Sequence, residues 1–259
     1  MKILAIIGSP RKGNTYKITQ QFEENIQKYG KVDFNYIFLK DSDLKQCIGC
    51  FNCFRIGEEH CPLKDDRDDI LKQMLDSNGV IFSSPVYMFN VTSLMKNFID
   101  RLSFNGHRPQ FFKQDAMIIS TTGGVGLKQV KEYLTNTADA WGFRSNTSLG
   151  VQTPPYKVKD KFIKKRDKEV EKAAKEFYKK LSKKKWSPSF LNLIQFRCIR
   201  GVTEAEGIDK VMTADCNFYE PLKEEKFYFD VKVNPIKYKI AGLLENLTKK
   251  SVEKIIKKD

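Results

Sequence analysis

Residues 1–15 read M-K-I-L-A-I-I-G-S-P-R-K-G-N-T. Lys2 to Ile7 is a run of Ile, Leu and Ala, the mark of a strand buried on both faces. It breaks at Gly8-Ser9-Pro10-Arg11-Lys12-Gly13-Asn14-Thr15, after which Ile18, Phe22, Ile26 and Tyr29 recur along one stripe of a helix. A strand, a Gly/Ser/Thr turn and a helix start together make an anion site. The first N–H groups of the helix and the positive end of its dipole face one point there. Ser9, Asn14 and Thr15 offer side-chain donors, and Arg11 can supply a charge-assisted bond. The turn lacks the G-K-[ST] ending of a Walker loop and does not follow the dinucleotide G-x-G-x-x-G spacing. It specifies a phosphate and leaves its bearer open.

The same strand–loop–helix unit repeats along the chain. Val32 to Leu39 predicts a second strand. Asp65, Asp66, Asp68 and Asp69 then open a helix that continues through Ile70, Leu71, Met74 and Leu75. Carboxylates in a first helical turn complement the dipole, so they are assigned a structural role. Gly79 to Ser84 predicts the third strand, which runs into Pro85-Val86-Tyr87-Met88-Phe89-Asn90, a loop whose large apolar side chains suit a planar ring. Val91, Leu94, Met95, Phe98 and Leu102 mark the next helix. Asp115 to Thr121 predicts the fourth strand, ending in Thr121-Thr122-Gly123-Gly124-Val125-Gly126, where glycines allow close backbone approach to a ligand. A helix from Leu127 to Trp141 and a fifth strand near Arg144 to Val151 complete the series. Strands alternating with helices predict a parallel sheet wound on both faces. Ligands of such sheets sit beyond the carboxyl ends of the strands, so the phosphate, aromatic, glycine and cysteine loops share one rim.

The cysteine loop leaves the second strand and reads C-I-G-C-F-N-C-F-R-I-G-E-E-H-C-P from Cys47 to Pro62. Cys47, Cys50 and Cys53 fall three residues apart, and Cys61 closes a possible four-thiolate shell. Three cysteines at that interval followed by a Cys-Pro have the logic of an iron–sulfur signature. A structural zinc site and metal-free thiols are the alternatives that the residues leave open. His60 is assigned to the loop and His107 to the surface, so no catalytic acid or base stands out. Cys198 and Cys216 have no partner motif.

The chain has 259 residues, a hydrophobic content of 41% and a net charge of +14. That length fits one domain plus an extension: residues 1–182 as the sheet domain with its cysteine loop at 47–61, and 183–259 as an extension. No apolar run approaches the twenty or so residues of a membrane span, and the apolar N-terminus is too short for a signal sequence. A cytoplasmic protein is expected, where clustered cysteines serve metal or redox chemistry. Lys157 to Lys185 holds 14 basic and 5 acidic residues, +9 of the total charge. Phe162, Val170, Ala173, Ala174, Phe177 and Leu181 recur within it at helical spacing. It therefore predicts a helix with one packed face and solvated lysines, and no specific nucleic-acid partner. In the extension, Phe227, Phe229, Val231 and Val233 alternate as a half-buried strand would, and Ile240, Leu243, Leu244, Leu247, Val252, Ile255 and Ile256 predict a final amphipathic helix.

With these loops in order, residues 1 to about 155 resemble the NAD(P)H-dependent FMN reductases of the flavodoxin-like fold, and most of all their iron–sulfur flavoprotein branch. The resemblance implies a doubly wound five-stranded sheet ordered 2-1-3-4-5, here with an α+β C-terminal extension. It implies that Gly8–Thr15 (Ser9, Arg11, Gly13, Asn14, Thr15) holds the FMN phosphate. Pro85, Val86, Tyr87, Met88 and Phe89 would lie beside the isoalloxazine, with Thr121, Thr122, Gly123, Gly124 and Gly126 on its other side. It further implies that Cys47, Cys50, Cys53 and Cys61 bind a 4Fe–4S cluster, that NAD(P)H or ferredoxin is the electron donor, and that the protein is a homo-oligomer (dimer or tetramer). In that oligomer the cysteine loop of one subunit would lie near the flavin of another. Two other functions are compatible with the residues: a cluster-free FMN reductase of quinones, nitro compounds or metals, and a non-catalytic flavodoxin-like binding protein using the basic helix.

Overall fold

A computed structural model describes residues 1–183 and 186–256. The chain divides into two compact units. The first comprises Met1–Cys47, Lys64–Ser103 and Gln110–Lys184, the second Ile48–Leu63, Phe104–Pro109 and Lys185–Asp259.

The first unit is a parallel sheet of β1 (Lys2–Ile7), β2 (Asp33–Phe38), β3 (Gly79–Pro85), β4 (Asp115–Thr122) and β5 (Asn146–Gln152), ordered β2-β1-β3-β4-β5. The expected order is the observed one. β1, β3 and β4 are buried almost throughout, as continuous apolar strands must be. β5 alternates between buried and accessible positions and β2 has no fully buried residue, as befits the two edges. On one face Ile3, Ala5, Ile7, Ile81, Met117, Ile119, Leu149 and Val151 pack against two helices. These are α1 (Asn14–Gln27), through Ile18, Phe22 and Ile26, and the basic helix α6 (Asp160–Leu181), through Val170, Ala173, Ala174 and Phe177. Side chains of opposite parity point the other way. There Phe82 sets its ring edge against Trp141 and Phe143, just past α5 (Leu127–Ala140).

In the second unit a one-turn helix α2 (Asn52–Arg55) joins α7 (Phe190–Thr203), α8 (Thr213–Tyr219) and α9 (Pro235–Ile255). Ser189 opens α7 with a capping box to Asn192. α7 and α9 cross closely enough that a Cβ on Gly201 would lie 2.6 Å from the Glu245 carbonyl oxygen. Glu245 is buried between them and accepts from both Arg197 and Arg200. The strand expected at 227–233 does not form; the described part of the extension is helical. The described part of the second unit contains no strand to pair with that segment, and an unpaired strand leaves its backbone groups unsatisfied. Its alternation reports a ring cluster instead: Phe227 is buried against Phe196 and Tyr228, and Phe229 stacks on Trp186.

Candidate functional site

The carboxyl ends of β1, β3, β4 and β5 open on a cavity of about 250 Å³. Ser9, Arg11, Gly13, Asn14, Thr15, Pro85, Val86, Tyr87, Thr121, Thr122 and Gly123 all line it, together with Thr153 and Pro155. Met88, Phe89, Gly124 and Gly126 stand outside that lining, although they belong to the same loops. Thr153 and Pro155 were missed by sequence reasoning. The available signal was their position just past β5, on the rim where the other loops end.

Packing and hydrogen bonds fix the phosphate turn. A Cβ on Gly8 would meet the Met95 side chain at 2.8 Å, so only glycine lets β1 pass α4 (Ser93–Arg101) this closely. Thr92, the N-cap of α4, donates its hydroxyl to the Gly8 carbonyl and accepts from the Met95 N–H. The buried Ser9 hydroxyl donates to the Arg11 carbonyl over 2.7 Å, and the Gly13 N–H donates to that same carbonyl over 2.8 Å. Gly13 is the N-cap of α1 and supplies no side-chain acceptor, so the first-turn N–H groups of α1 face the cavity uncapped. The Thr15 and Thr121 hydroxyls bond over 2.7 Å, and Thr19 reaches Ser83 over 2.8 Å, tying α1 to β4 and β3 below the site.

The aromatic loop is a tight hairpin. Tyr87 and Asn90 exchange both backbone bonds, at 2.8 and 2.9 Å, around Met88 and Phe89. Both tip residues have positive φ, 47° and 63°, a conformation that glycine or asparagine adopts more readily. Met88 is 91% exposed, and Tyr87 and Phe89 are about half exposed. Strain and exposed rings at one tip are unfavourable for the empty chain and suit a loop that closes on a flat ligand. The glycine loop is shaped by Thr122, whose hydroxyl donates to the Val125 carbonyl and accepts from the Gly124 N–H. Gly126 sits at φ 97°, and a Cβ there would lie 2.6 Å from Val86 Cγ1. Uncapped helix donors, an adjacent guanidinium, a ring-sized opening and backbone approach on one side fit a flavin mononucleotide.

The stem of the cysteine loop is pinned within the first unit. The Asp43 N–H donates to the Asp66 carboxylate over 2.7 Å, and the Lys45 N–H to Asp65 over 3.0 Å. The Asp65 side chain is shielded from solvent, and both of its oxygens accept from Arg101. Burial pushes its pKa up, but bonds from Arg101, Arg67 and Lys45 outweigh that and hold it below the usual carboxylate range. Asp65 and Asp66 are thus structural, as expected, through the loop stem; Asp68 and Asp69 lie in the first turn of α3 (Arg67–Leu75). The Cys47 N–H donates to the Asn97 side chain. Cys47 and Cys50 are exposed, Cys53 is half-buried and Cys61 is buried. Among the described residues no set of three or more His, Cys, Asp or Glu is placed to hold a metal ion. The thiol set itself has the chemistry that an iron–sulfur cluster requires.

In the second unit His107 is half exposed, as a surface assignment requires, but its Nδ1 lies 2.7 Å from Oδ2 of the fully buried Asp215. Arg108 also bonds Asp215, and reaches Glu58 and the Cys53 carbonyl. The Tyr219 hydroxyl donates to the His107 carbonyl. Burial, with the Tyr228 hydroxyl beside it, pushes the Tyr219 pKa well up, so that phenol stays neutral.

A phosphate turn, an aromatic tip and a glycine loop on the rim of a 2-1-3-4-5 parallel sheet define a flavodoxin-like, flavin-dependent oxidoreductase. Residues 1–152 match the model of the NADPH-dependent FMN reductases, and the chain belongs to that family. It is 34% identical over 168 residues to an iron-sulfur flavoprotein of Archaeoglobus fulgidus, covering 64% of this chain and 75% of the relative. A Clostridioides difficile iron-sulfur flavoprotein is 29% identical over 205 residues, covering 78% and 89%. An iron-sulfur flavoprotein of Methanocaldococcus jannaschii reaches 40% identity over 102 residues, where the match spans about half of the relative's length (51%). Among solved structures, an FMN-dependent NADH-azoreductase from Bacillus anthracis in complex with FMN superposes with a TM-score of 0.54 at 16% identity, covering 69% of this chain and all of that one. RosB, solved with a bound riboflavin-phosphate intermediate, has a TM-score of 0.53 at 15% identity and covers 91% of this chain and 92% of its own. These last two likenesses concern the fold. Family membership sets aside the non-catalytic binding protein. No described helix is long and apolar enough to cross a membrane.

Proposed function

We propose that the rim cavity holds FMN, with its phosphate at Ser9, Arg11, Gly13, Asn14 and Thr15. Its ring would then lie between the loop Pro85, Val86, Tyr87, Met88 and Phe89 and the loop Thr121, Thr122, Gly123, Gly124 and Gly126. Bound FMN supplies two-electron and one-electron redox chemistry. The protein positions the ring, excludes water from one face and supplies backbone donors at its edge. NAD(P)H is the donor in this reading, with ferredoxin as its substitute. The observation that carries the reading is the uncapped start of α1, facing a cavity walled by Tyr87, at the base of the strained Met88–Phe89 tip, and by the Thr121 loop. Flavin released from the purified protein is expected to be FMN at one per chain; stoichiometric FAD would overturn the assignment.

Cys47, Cys50, Cys53 and Cys61 are proposed as ligands of a 4Fe–4S cluster, on the strength of their chemistry and of the names of the relatives. Gly49, Phe51 and Gly57 all have positive φ, three sharp reversals in the loop that carries the thiols. Anaerobic reconstitution is expected to give iron and acid-labile sulfide, and Ser at any of the four to abolish or distort the spectrum. No acid-labile sulfide would favour the cluster-free reductase. A cytoplasmic location and homo-oligomeric assembly complete the proposal.

A further inference from the structure

We propose that Arg108, locked in place by the buried Asp215, is a positioning residue that orders the cysteine loop from outside and sets the reduction potential of the cluster assigned to its thiols. This deepens the reading above and rests on its cluster. All the groups involved lie in the second unit. The Arg108 side chain is only 5% exposed, and its two terminal nitrogens serve different partners. Nη1 donates to Oδ1 of Asp215 on α8. Nη2 donates to the Cys53 carbonyl and, over 2.7 Å, to Oε2 of Glu58. Cys53 lies in the one-turn α2, whose last carbonyls have no partner further along the helix. One cation thus holds the backbone of a thiol-bearing residue together with a side chain from the excursion between Cys53 and Cys61.

Other bonds hold the anchor itself. Asp215 is fully buried, and its second oxygen lies 2.7 Å from His107 Nδ1, so both oxygens are engaged. The Gln195 amide of α7 donates to the Gly106 carbonyl over 3.0 Å, and the Tyr219 hydroxyl of α8 donates to the His107 carbonyl over 2.8 Å. These two bonds fix the backbone that leads to Arg108. Both helices lie beyond residue 152, where the family match ends, so this chain supplies the anchor from its own extension. A guanidinium shielded from water acts at low effective dielectric, and salt screens it little. One-electron reduction adds a negative charge to a cluster, and the net charge and hydrogen bonds around the thiolates help to set its potential. Arg108 therefore favours the reduced form, while Asp215 and Glu58 oppose it. These opposite signs separate charge from packing. Losing either Arg108 or Glu58 loosens the loop, but only a charge effect reverses direction between them.

The test uses the full FMN-loaded chain after anaerobic reconstitution with iron and sulfide. Cluster potentials are read by mediated redox titration followed by electron paramagnetic resonance. Arg108→Gln should lower the one-electron reduction constant about tenfold, a shift of about 59 mV to more negative potential. Arg108→Lys keeps the charge and should restore most of that loss. Glu58→Gln removes a side chain that is 30% exposed and leaves Arg108 paired with Asp215. It should move the potential the opposite way by a smaller factor, about threefold, because the carboxylate is partly screened. Glu220→Gln removes a carboxylate of the same unit whose partner is Lys223, and should leave the potential unchanged. No shift in Arg108→Gln, a shift of the same sign in Glu58→Gln, or an equal shift in Glu220→Gln would each overturn the tuning. If Arg108→Gln does not fold, Glu58→Gln decides: an upward shift supports the proposal and no shift overturns it. If the wild-type chain takes up no acid-labile sulfide, the cluster reading fails and the tuning falls with it. The positioning role is then decided in the cluster-free protein by amide hydrogen exchange across residues 50–61. Faster exchange in Arg108→Lys than in Glu220→Gln supports that role, and equal exchange overturns it.

Discussion

At the residue scale, the side chains that matter most to the site are those whose position is costly without a ligand. Met88 and Phe89 hold left-handed backbone at an exposed tip. Gly126 holds it with no room for a Cβ. Gly126→Ala is therefore expected to shift the glycine loop, cost about 1–3 kcal/mol of stability and lower FMN retention, as thermal unfolding and flavin titration would show. Arg11 is exposed beside the uncapped α1, with no burial role to confuse the outcome. Arg11→Ala should weaken FMN binding by about 1.5–3 kcal/mol, the range for a hydrogen bond to a charged group; unchanged affinity would remove it from the phosphate site. Asp65 gives a pH dependence of definite sign. Its folded pKa is depressed, so its contribution is fully present above the unfolded carboxylate value of about 3.9 and is lost as pH falls through the folded value. Asp65→Asn should thus destabilise the chain at pH 7 and flatten the acid limb of its stability curve below about pH 4. Most rim residues were legible because the phosphate turn and the glycine loop have local signatures. Thr153 and Pro155 follow no motif, and Asp65 gave no sign that its partner would be Arg101, 36 positions away.

At the scale of elements, the alternation of apolar strands and amphipathic helices made the sheet legible down to strand order, because β1, β3 and β4 are buried on both faces and leave no other pattern. The extension was harder. Ring clustering around Phe196, Tyr219, Phe227 and Tyr228 mimics the period of a strand, and nothing local distinguishes the two. The ion pairs that organise the second unit were likewise invisible, since Arg108 and Asp215 stand 107 positions apart. Within that unit α8 presents the buried Asp215 to Arg108, and Arg108 holds the Cys53 carbonyl and Glu58. Removing one partner leaves a buried charge uncompensated, which costs about 3–5 kcal/mol. Asp215→Ala should accordingly lower the stability of the second unit by that amount and speed hydrogen exchange across residues 48–63. Undiminished protection there would show that the cysteine loop is ordered by other contacts.

At the scale of the whole molecule, the apolar surface left in water argues for self-association. On α9, Ile236, Ile240, Leu243 and Leu247 are spaced by four, three and four residues, the seam of a helix that packs against another helix. Leu243 and Leu247 are 64% and 63% exposed, while Ala241, Gly242 and Glu245 of the same helix are buried within the unit. The packed face and the seam are therefore different faces. Ile48, Phe51 and Ile56 on the cysteine loop add further exposed apolar area. Burying each large side chain of the seam is worth about 1.5–3 kcal/mol, so four from each of two copies outweigh the usual cost of association. A second copy of the chain is the occupant expected, because an isologous contact pairs the same stripe with itself. Sedimentation at micromolar concentration should give a dimer or tetramer. Leu243→Glu combined with Leu247→Glu should give a monomer that retains one FMN, since both residues belong to the second unit and the flavin rim to the first. A wild-type monomer would end the assembly proposal, and an oligomer that survives both substitutions would move the interface away from α9.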